Sequence, residues 1–227
     1  MRISVVIPVR NEAAIIETCL NAFSRQTISP FEIIIVDNKS TDDTAFLAQK
    51  HKNVRVLQEP KIGISNARNA GFDAAKGDII ARCDADTRVE EDWILEIEKF
   101  FSQNLEVSAI TGPAYFYNLP RPVRWFIGWV FLDSFYWITR LRLGGETLYG
   151  SNCALRKIIW DKVRGEVCTD DANMHEDIDL GQHISRFGTI VFNPSVKVGI
   201  SARPLAHPYR MLKRWRKGLN NFSRHRD

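Results

Sequence analysis

Residues 77–93 read GDIIARCDADTRVEEDW, an apolar run that ends in two aspartates one residue apart, Asp84 and Asp86. Aspartate is common wherever a turn is made or a helix is capped, so a loop after a strand is the plain reading. Alternate carboxylates at a strand end can also converge on one hard divalent cation. The D-x-D pair alone decides neither, and the flanking segments carry the choice.

Upstream, short apolar runs alternate with helix-like segments. ISVVIPV (3–9) is β-branched and continuously apolar, as a strand covered on both faces must be. Asn11 is placed to cap a helix through about residue 26, with Ile15, Cys19, Ala22 and Phe23 on one face. FEIIIVD (31–37) predicts a second strand, and the polar NKSTDDT after it starts a helix. VRVLQE (54–59) predicts a third strand. GISNARNAGFDAAKG (63–77) predicts a helix from Ser65 that Gly77 ends, and DIIARCD (78–84) a fourth strand. Such alternation predicts a mostly parallel sheet with right-handed crossovers, and ligands then sit beyond the carboxyl ends of the strands. Asp37, Asp84 and Asp86 all stand at such ends. No G-x-G-x-x-G follows the first strand and no P-loop motif occurs, so dinucleotide and P-loop readings lose their main support.

The second half is less regular. Residues 108–118 look strand-like, 121–142 predict an aromatic helix, and 148–157 a strand or loop entering a helix. MHEDIDLGQHISRFG (174–188) predicts a helix stopped by Gly188, and 189–201 a pair of short strands. At 227 residues, with no repeat or linker, one domain is the simplest account. The net charge of +4 is too mild to imply nucleic acid, and the basic residues gather in YRMLKRWRKGLNNFSRHRD at the end. Four scattered cysteines (Cys19, Cys83, Cys153 and Cys168) without a C-x-x-C pair suggest reduced thiols and a cytoplasmic setting. The N-terminus lacks a signal-peptide pattern, and no apolar run reaches the roughly 18 residues that span a bilayer.

Six segments, in order, resemble the motifs of family 2 glycosyltransferases: VVIPVRNE (5–12), IIIVDNKSTDDT (33–44), GISNARNAG (63–71), CDADT (83–87), GSNCALRK (150–157) and HEDIDLGQHISRFG (175–188). The resemblance covers about residues 2–200. It implies the GT-A fold, a Rossmann-like three-layer α/β/α sandwich with a mostly parallel, mixed central sheet. It implies an inverting enzyme that moves a sugar from a nucleotide-diphosphate sugar, UDP favoured over GDP, to an acceptor hydroxyl with Mn²⁺ or Mg²⁺ as cofactor. On this expectation residues 1–227 form a single GT-A catalytic domain: 1–100 the nucleotide-binding half, 101–200 the acceptor-binding half, and 201–227 a basic C-terminal segment.

The resemblance also assigns roles. Asp86 would ligate the metal, and Asp84 the ribose or a metal-bound water. Asp37 would accept a hydrogen bond from a ring N–H of the base; otherwise it is a turn carboxylate bonded to its own NKST backbone. Pro8, Arg10 and Glu12 would line the nucleotide pocket, with Arg10 at a position often aromatic in the family. Arg68 would reach the nucleotide or hold Asp84, or else be an ordinary surface cation. Asp177 of the Glu–Asp pair would be the general base, with Glu176 supporting it or touching the acceptor; alternatively both acids complement a helix start. Gly150, Ser151 and Asn152 would contact donor sugar or acceptor, or form a strand-to-helix turn. His207 would be a third metal ligand or a loop residue. MLKRW (211–215) resembles the Q-x-x-R-W signature of processive members with Met211 where Gln is expected; Arg214 and Trp215 would close over the diphosphate and its sugar.

The segment RPVRWFIGWVFLDSFYWITRLR (121–142) places Trp125, Trp129, Leu132 and Tyr136 on one helical face, with arginines at both ends. Such a helix lies in a membrane interface, or packs over the crevice or a second subunit. The first option implies peripheral contact with the cytoplasmic face of the membrane, and a cell-envelope glycan or lipid-linked acceptor. Two other classes compete: a sugar nucleotidyltransferase, which lacks its Gly-rich N-terminal loop here, and a non-catalytic sugar-nucleotide-binding module.

Overall fold

The computed structural model of the protein describes residues 1–128, 134, 137, 140, 141, 145–169, 172–206, 209, 216 and 217. Its centre is β1 (Ile3–Val9), buried at every position. β1 pairs in parallel with β2 (Glu32–Asp37), and β2 in turn with β3 (Val54–Gln58). On its other side β1 pairs in parallel with β4 (Ile79–Arg82). The second half extends the sheet with β6 (Val107–Thr111), β8 (Cys153–Arg156) and β9 (Thr189–Phe192), in the order β3-β2-β1-β4-β8-β6-β9. Only β8 runs against its neighbours β4 and β6. A small second sheet joins β5 (Arg88–Val89), β10 (Val198–Ile200) and β7 (Ala114–Phe116).

Helices cover both faces, which is why the central strands read as unbroken apolar runs rather than alternating ones. On one face, Val5, Ile7 and Val9 pack with α1 (Ile16–Phe23), α2 (Thr44–Gln49) and α4 (Trp93–Gln103). On the other, Val6, Ile34 and Val36 pack with α3 (Ile64–Ala74), α6 (Lys157–Val163) and α7 (Glu176–Ser185). α5 (Arg121–Gly128) opens the aromatic segment. Gly71 sits where α3 meets the sheet: a Cβ there would lie 2.3 Å from Val6 Cγ1 and 2.8 Å from Val36 Cγ2. Trp93 and Trp160, both buried, bring a large apolar area and still satisfy their indoles, Trp93 through Asn152 Oδ1 (2.9 Å) and Trp160 through Asp73 Oδ1 (2.8 Å).

Several expected boundaries move. Asn11 does not cap α1, which begins at Ile16 without a side-chain cap. Asn11 instead adopts φ 56°, and its side chain accepts from Thr41 N–H at 2.8 Å, tying the loop after β1 to the loop after β2. α3 ends at Ala74 with Ala75 extended, so Gly77 is not its stop; the Gly77 N–H donates to Ser4 Oγ. Residues 108–118 divide around Gly112–Pro113 into β6 and β7, which enter different sheets. Of the aromatic face, Trp129, Leu132 and Tyr136 lie outside the described residues, as do His207, Arg214 and Trp215.

Candidate active site

The carboxyl ends of β1, β2 and β4 meet along one edge of the sheet. Pro8 is buried in β1 opposite Val36, Arg10 is exposed just beyond, and Asp37 closes β2 opposite Val9. Asp37 is buried and its Oδ1 accepts from Ser40 N–H at 3.3 Å, so the turn bond expected of NKST is present. Asn38 beside it donates to the carbonyls of Glu59 (3.0 Å) and Lys61 (2.8 Å) and accepts from Gly63 N–H (2.8 Å). One amide thus straps the loop before α3 to the end of β2.

At the centre of the site is Arg82, the last residue of β4 and 1% exposed. Its Nη2 lies 2.8 Å from Glu176 Oε1 and 3.4 Å from Asp84 Oδ1; its Nη1 donates to Glu176 Oε2 (2.9 Å) and Asp177 Oδ1 (3.0 Å). Arg68, fully buried on α3, grips the same Glu176 from behind through Oε2 (2.5 Å) and the backbone carbonyl (2.8 Å). The second oxygen of Asp177 accepts from Gly150 N–H at 2.9 Å. A Cβ on Gly150 would lie 2.5 and 2.7 Å from the Asp177 oxygens, so only glycine lets the backbone approach this carboxylate. Ser151 Oγ donates to Asp84 Oδ2 at 2.5 Å.

These contacts set the protonation pattern. Burial alone would raise Glu176, but Arg82 and Arg68 overcome it and hold its carboxyl well below the ordinary range. Asp177, buried beside that fixed negative charge, is pushed up to about 8 against the pull of Arg82. Two neighbouring acids are thereby driven apart, the pattern that suits a proton acceptor working near neutral pH.

At the outer lip, Asp86 and Glu12 share one partner that the sequence reading missed. Arg203 lies 3.0 Å from Asp86 Oδ2 and 3.1 Å from Glu12 Oε2. Burial, with the charge of Asp84 behind it, still raises Asp86 above the ordinary carboxylate value, and Arg203 offsets this only in part.

The structure therefore brings Gly150, Ser151, Glu176, Asp177 and Asp84 together, with Asp86 and Glu12 beside them. Two expectations need correction. Arg68 is neither a surface cation nor the support of Asp84; it holds Glu176, and Arg82 takes the Asp84 contact. Asn152 is fully buried, its amide bonded to Trp93, Val196 and Pro113, so it fixes the turn rather than facing a ligand. Arg82 had a sequence signal: an arginine inside the apolar run DIIARCD must find buried partners, because an unpaired interior charge is too costly. Arg203 had none, since exposed arginines near a basic terminus are ordinary.

Among the described residues no cluster of three or more carboxylate, histidine or cysteine ligands gathers on one point. The charge balance nevertheless fits a divalent cation. Five carboxylates (Glu12, Asp84, Asp86, Glu176 and Asp177) are linked to three guanidiniums (Arg68, Arg82 and Arg203), leaving one negative charge while Asp177 keeps its proton and two once it is ionised. A magnesium or manganese ion bound through one or two of these acids, with phosphate oxygens completing its shell, would neutralise them.

A mostly parallel, mixed seven-stranded sheet with acids beyond its strand ends is the architecture of the GT-A fold. The sequence profile described as "Glycosyl transferase family 2" matches residues 4–162, and the chain belongs to that family. It is 38% identical over 122 residues to the glycosyltransferase GlyG of Streptococcus pneumoniae, spanning 51% of this chain and 39% of that protein. It is 37% identical over 99 residues to the glycosyltransferase AglE of Haloferax volcanii, spanning 40% and 33%. The matched stretches are thus well under half the length of either relative. Among solved structures, a mannosyltransferase of Pyrobaculum calidifontis in complex with GDP-Man and Mn²⁺ superposes with a TM-score of 0.72 at 21% identity, covering 94% of this chain and 60% of that one. TarS residues 1–349 of S. aureus, in complex with UDP-GlcNAc, gives 0.67 at 17% identity over 89% and 59%.

Proposed function

We propose that the chain is a single catalytic domain that transfers a sugar from a nucleoside-diphosphate sugar, UDP favoured over GDP, to an acceptor hydroxyl with inversion at the anomeric carbon. The observation that carries this reading is the Arg82 hub: one buried guanidinium reaches Asp84 on the donor side and Asp177, 3.0 Å away, on the other. Asp37 accepts from a ring N–H of the base, and Pro8, Arg10 and Asn38 border that pocket. Asp86, with Asp84 behind it, would hold Mn²⁺ or Mg²⁺. When bound, such a cation neutralises the departing diphosphate. Asp177 accepts the acceptor's proton as the new carbon–oxygen bond forms and the bond to the diphosphate oxygen breaks, its electron pair leaving with the diphosphate. Glu176, kept ionised by two arginines, holds Arg82 in place and tunes Asp177.

Calorimetric titration of UDP and GDP, with and without Mn²⁺, into wild type and Asp86→Asn tests this. Tight, Mn²⁺-dependent binding of one nucleotide that the variant loses supports it; no binding of either nucleotide ends it. Binding without turnover over a panel of acceptors leaves a sugar-nucleotide-binding module instead. The acceptor we infer is a glycan or lipid-linked glycan at the cytoplasmic membrane face. Val123, Trp137 and Leu141 support this, being exposed apolar residues (41%, 66% and 67%) near Arg124 and Arg140. No helix among the described residues is long and apolar enough to cross a membrane. Co-sedimentation with anionic vesicles, weakened in Trp137→Ser, checks the inference; equal binding of neutral and anionic vesicles, or none, removes it.

A further inference from the structure

Arg203 opens a 3₁₀ turn (Arg203–Ala206) just past β10 and joins two acids that follow different strands. Glu12 follows β1 and Asp86 follows β4. The guanidinium meets Glu12 with both nitrogens, Nη1 to Oε2 at 3.1 Å and Nη2 to Oε1 at 3.4 Å, and Asp86 with Nη2 at 3.0 Å. Arg68 and Arg82 are fully enclosed, whereas the Arg203 side chain is 53% exposed. Its backbone is pinned: Arg203 N–H donates to Ser201 Oγ (3.2 Å) and Ala202 N–H to Asn118 Oδ1 (2.9 Å). A fixed base thus carries a head that can move into solvent.

An exposed ion pair contributes little net free energy, so this one is easily exchanged. A hard cation and the guanidinium compete for the same Asp86 carboxylate, and the two would repel if both stayed. A planar guanidinium is also well shaped to give two parallel hydrogen bonds to a phosphate.

We propose that Arg203 is an exchangeable counter-ion of the donor cleft: it neutralises Glu12 and Asp86 when the cleft is empty, leaves Asp86 on uptake of a divalent cation, and donates to the donor's diphosphate instead. This rests on the donor-site reading above. Its signature is a pair of effects of opposite sign from one substitution, which loss of a purely structural pair would not give.

The test uses the whole chain, with Mn²⁺ binding followed by electron paramagnetic resonance of the free ion and UDP or GDP binding by calorimetry at saturating Mn²⁺. Arg203→Gln should bind Mn²⁺ alone about three- to tenfold more tightly, as expected on removing one or two exposed competing pairs. The same variant should bind the nucleotide at saturating Mn²⁺ about tenfold more weakly or worse, as for loss of hydrogen bonds to a charged group. Arg203→Lys, keeping the charge but not the fork, should fall between on both measures. Unchanged or weaker Mn²⁺ binding by Arg203→Gln overturns the exchange, as does unchanged nucleotide binding. Mn²⁺ binding that survives Asp86→Asn puts the cation elsewhere and overturns it too. The Mn²⁺ measurement needs no nucleotide, so a wild type that binds neither nucleotide marks failure of the donor-site reading, separate from failure of the competition at Asp86.

Discussion

Replacing Arg82 with Met keeps most of the side chain's length but removes its charge from beneath three acids. Glu176 would then keep Arg68 alone, and Asp177 and Asp84 would lose their guanidinium. Removing one partner of a buried ion pair typically costs about 3–5 kcal/mol, because the other partner stays buried without compensation. For a chain of 227 residues this lowers Tm by roughly 6–20 °C, at about 2–4 °C per kcal/mol. The deficit should also depend on pH. In wild type Glu176 is held below its unfolded value, so its stabilisation is present above that value and is lost only as pH falls through the lower folded one. In Arg82→Met the sign reverses at Glu176, which then adds to Asp177, already raised in wild type and already costing stability as pH climbs toward about 8. The crowded carboxyls rise above their unfolded values, the folded state binds extra protons, and the penalty grows as pH climbs from about 4. Urea unfolding followed by tryptophan fluorescence should therefore give a deficit at about pH 8 larger by roughly 1–2 kcal/mol than at about pH 5.5. A deficit under about 1 kcal/mol at the higher pH, or one equal at both, refutes the claim that Arg82 is the electrostatic hub.

Other outcomes follow from single contacts. Asp177→Asn should lower kcat by about 10²–10⁴ while nucleotide binding stays within about twofold, as for a group that acts only on the acceptor proton. In wild type, kcat/KM should rise with pH and level off only near the elevated Asp177 value of about 8, since the carboxyl must be ionised to accept a proton; an acid limb at an ordinary carboxylate value would contradict this. Gly150→Ala forces a methyl against the Asp177 oxygens and should cut kcat about a hundredfold, the scale of a 1 Å misplacement, with a small change in Tm. Asn152→Ala should cost about 1–3 kcal/mol by stranding the Trp93 indole and the Val196 carbonyl, yet leave nucleotide affinity unchanged in calorimetry.

The donor half was largely readable because its signals are local. Buried parallel strands demand unbroken apolar runs, and β1, β2 and β4 supplied them within a residue or two. Asp37 and Asp84 fell at strand ends because a polar side chain there meets the open edge of the sheet. What could not be read was pairing over distance. Asn11 looked like a helix cap, but its partner Thr41 lies across the crossover. Arg68 was open to reading as a nucleotide contact, a support of Asp84 or a surface cation, yet its partner Glu176 is 108 residues away. Asn152 shared a motif with Gly150 and Ser151 but points inward, where its amide is bonded to Trp93, Val196 and Pro113.

The long reach of Arg82 has a consequence for synthesis. Its deepest partner, Glu176, follows it by 94 residues, which translation at about 5–20 residues per second supplies roughly 5–20 s later. Over that interval β1 to β4 can assemble with their crossover helices, but the end of β4 must keep its water, since a guanidinium with only the partly exposed Asp84 as partner resists desolvation. Ribosome-stalled chains that expose residues up to about 165 should therefore stay open to protease beside Cys83, and chains that also expose α7 should close there in a single step.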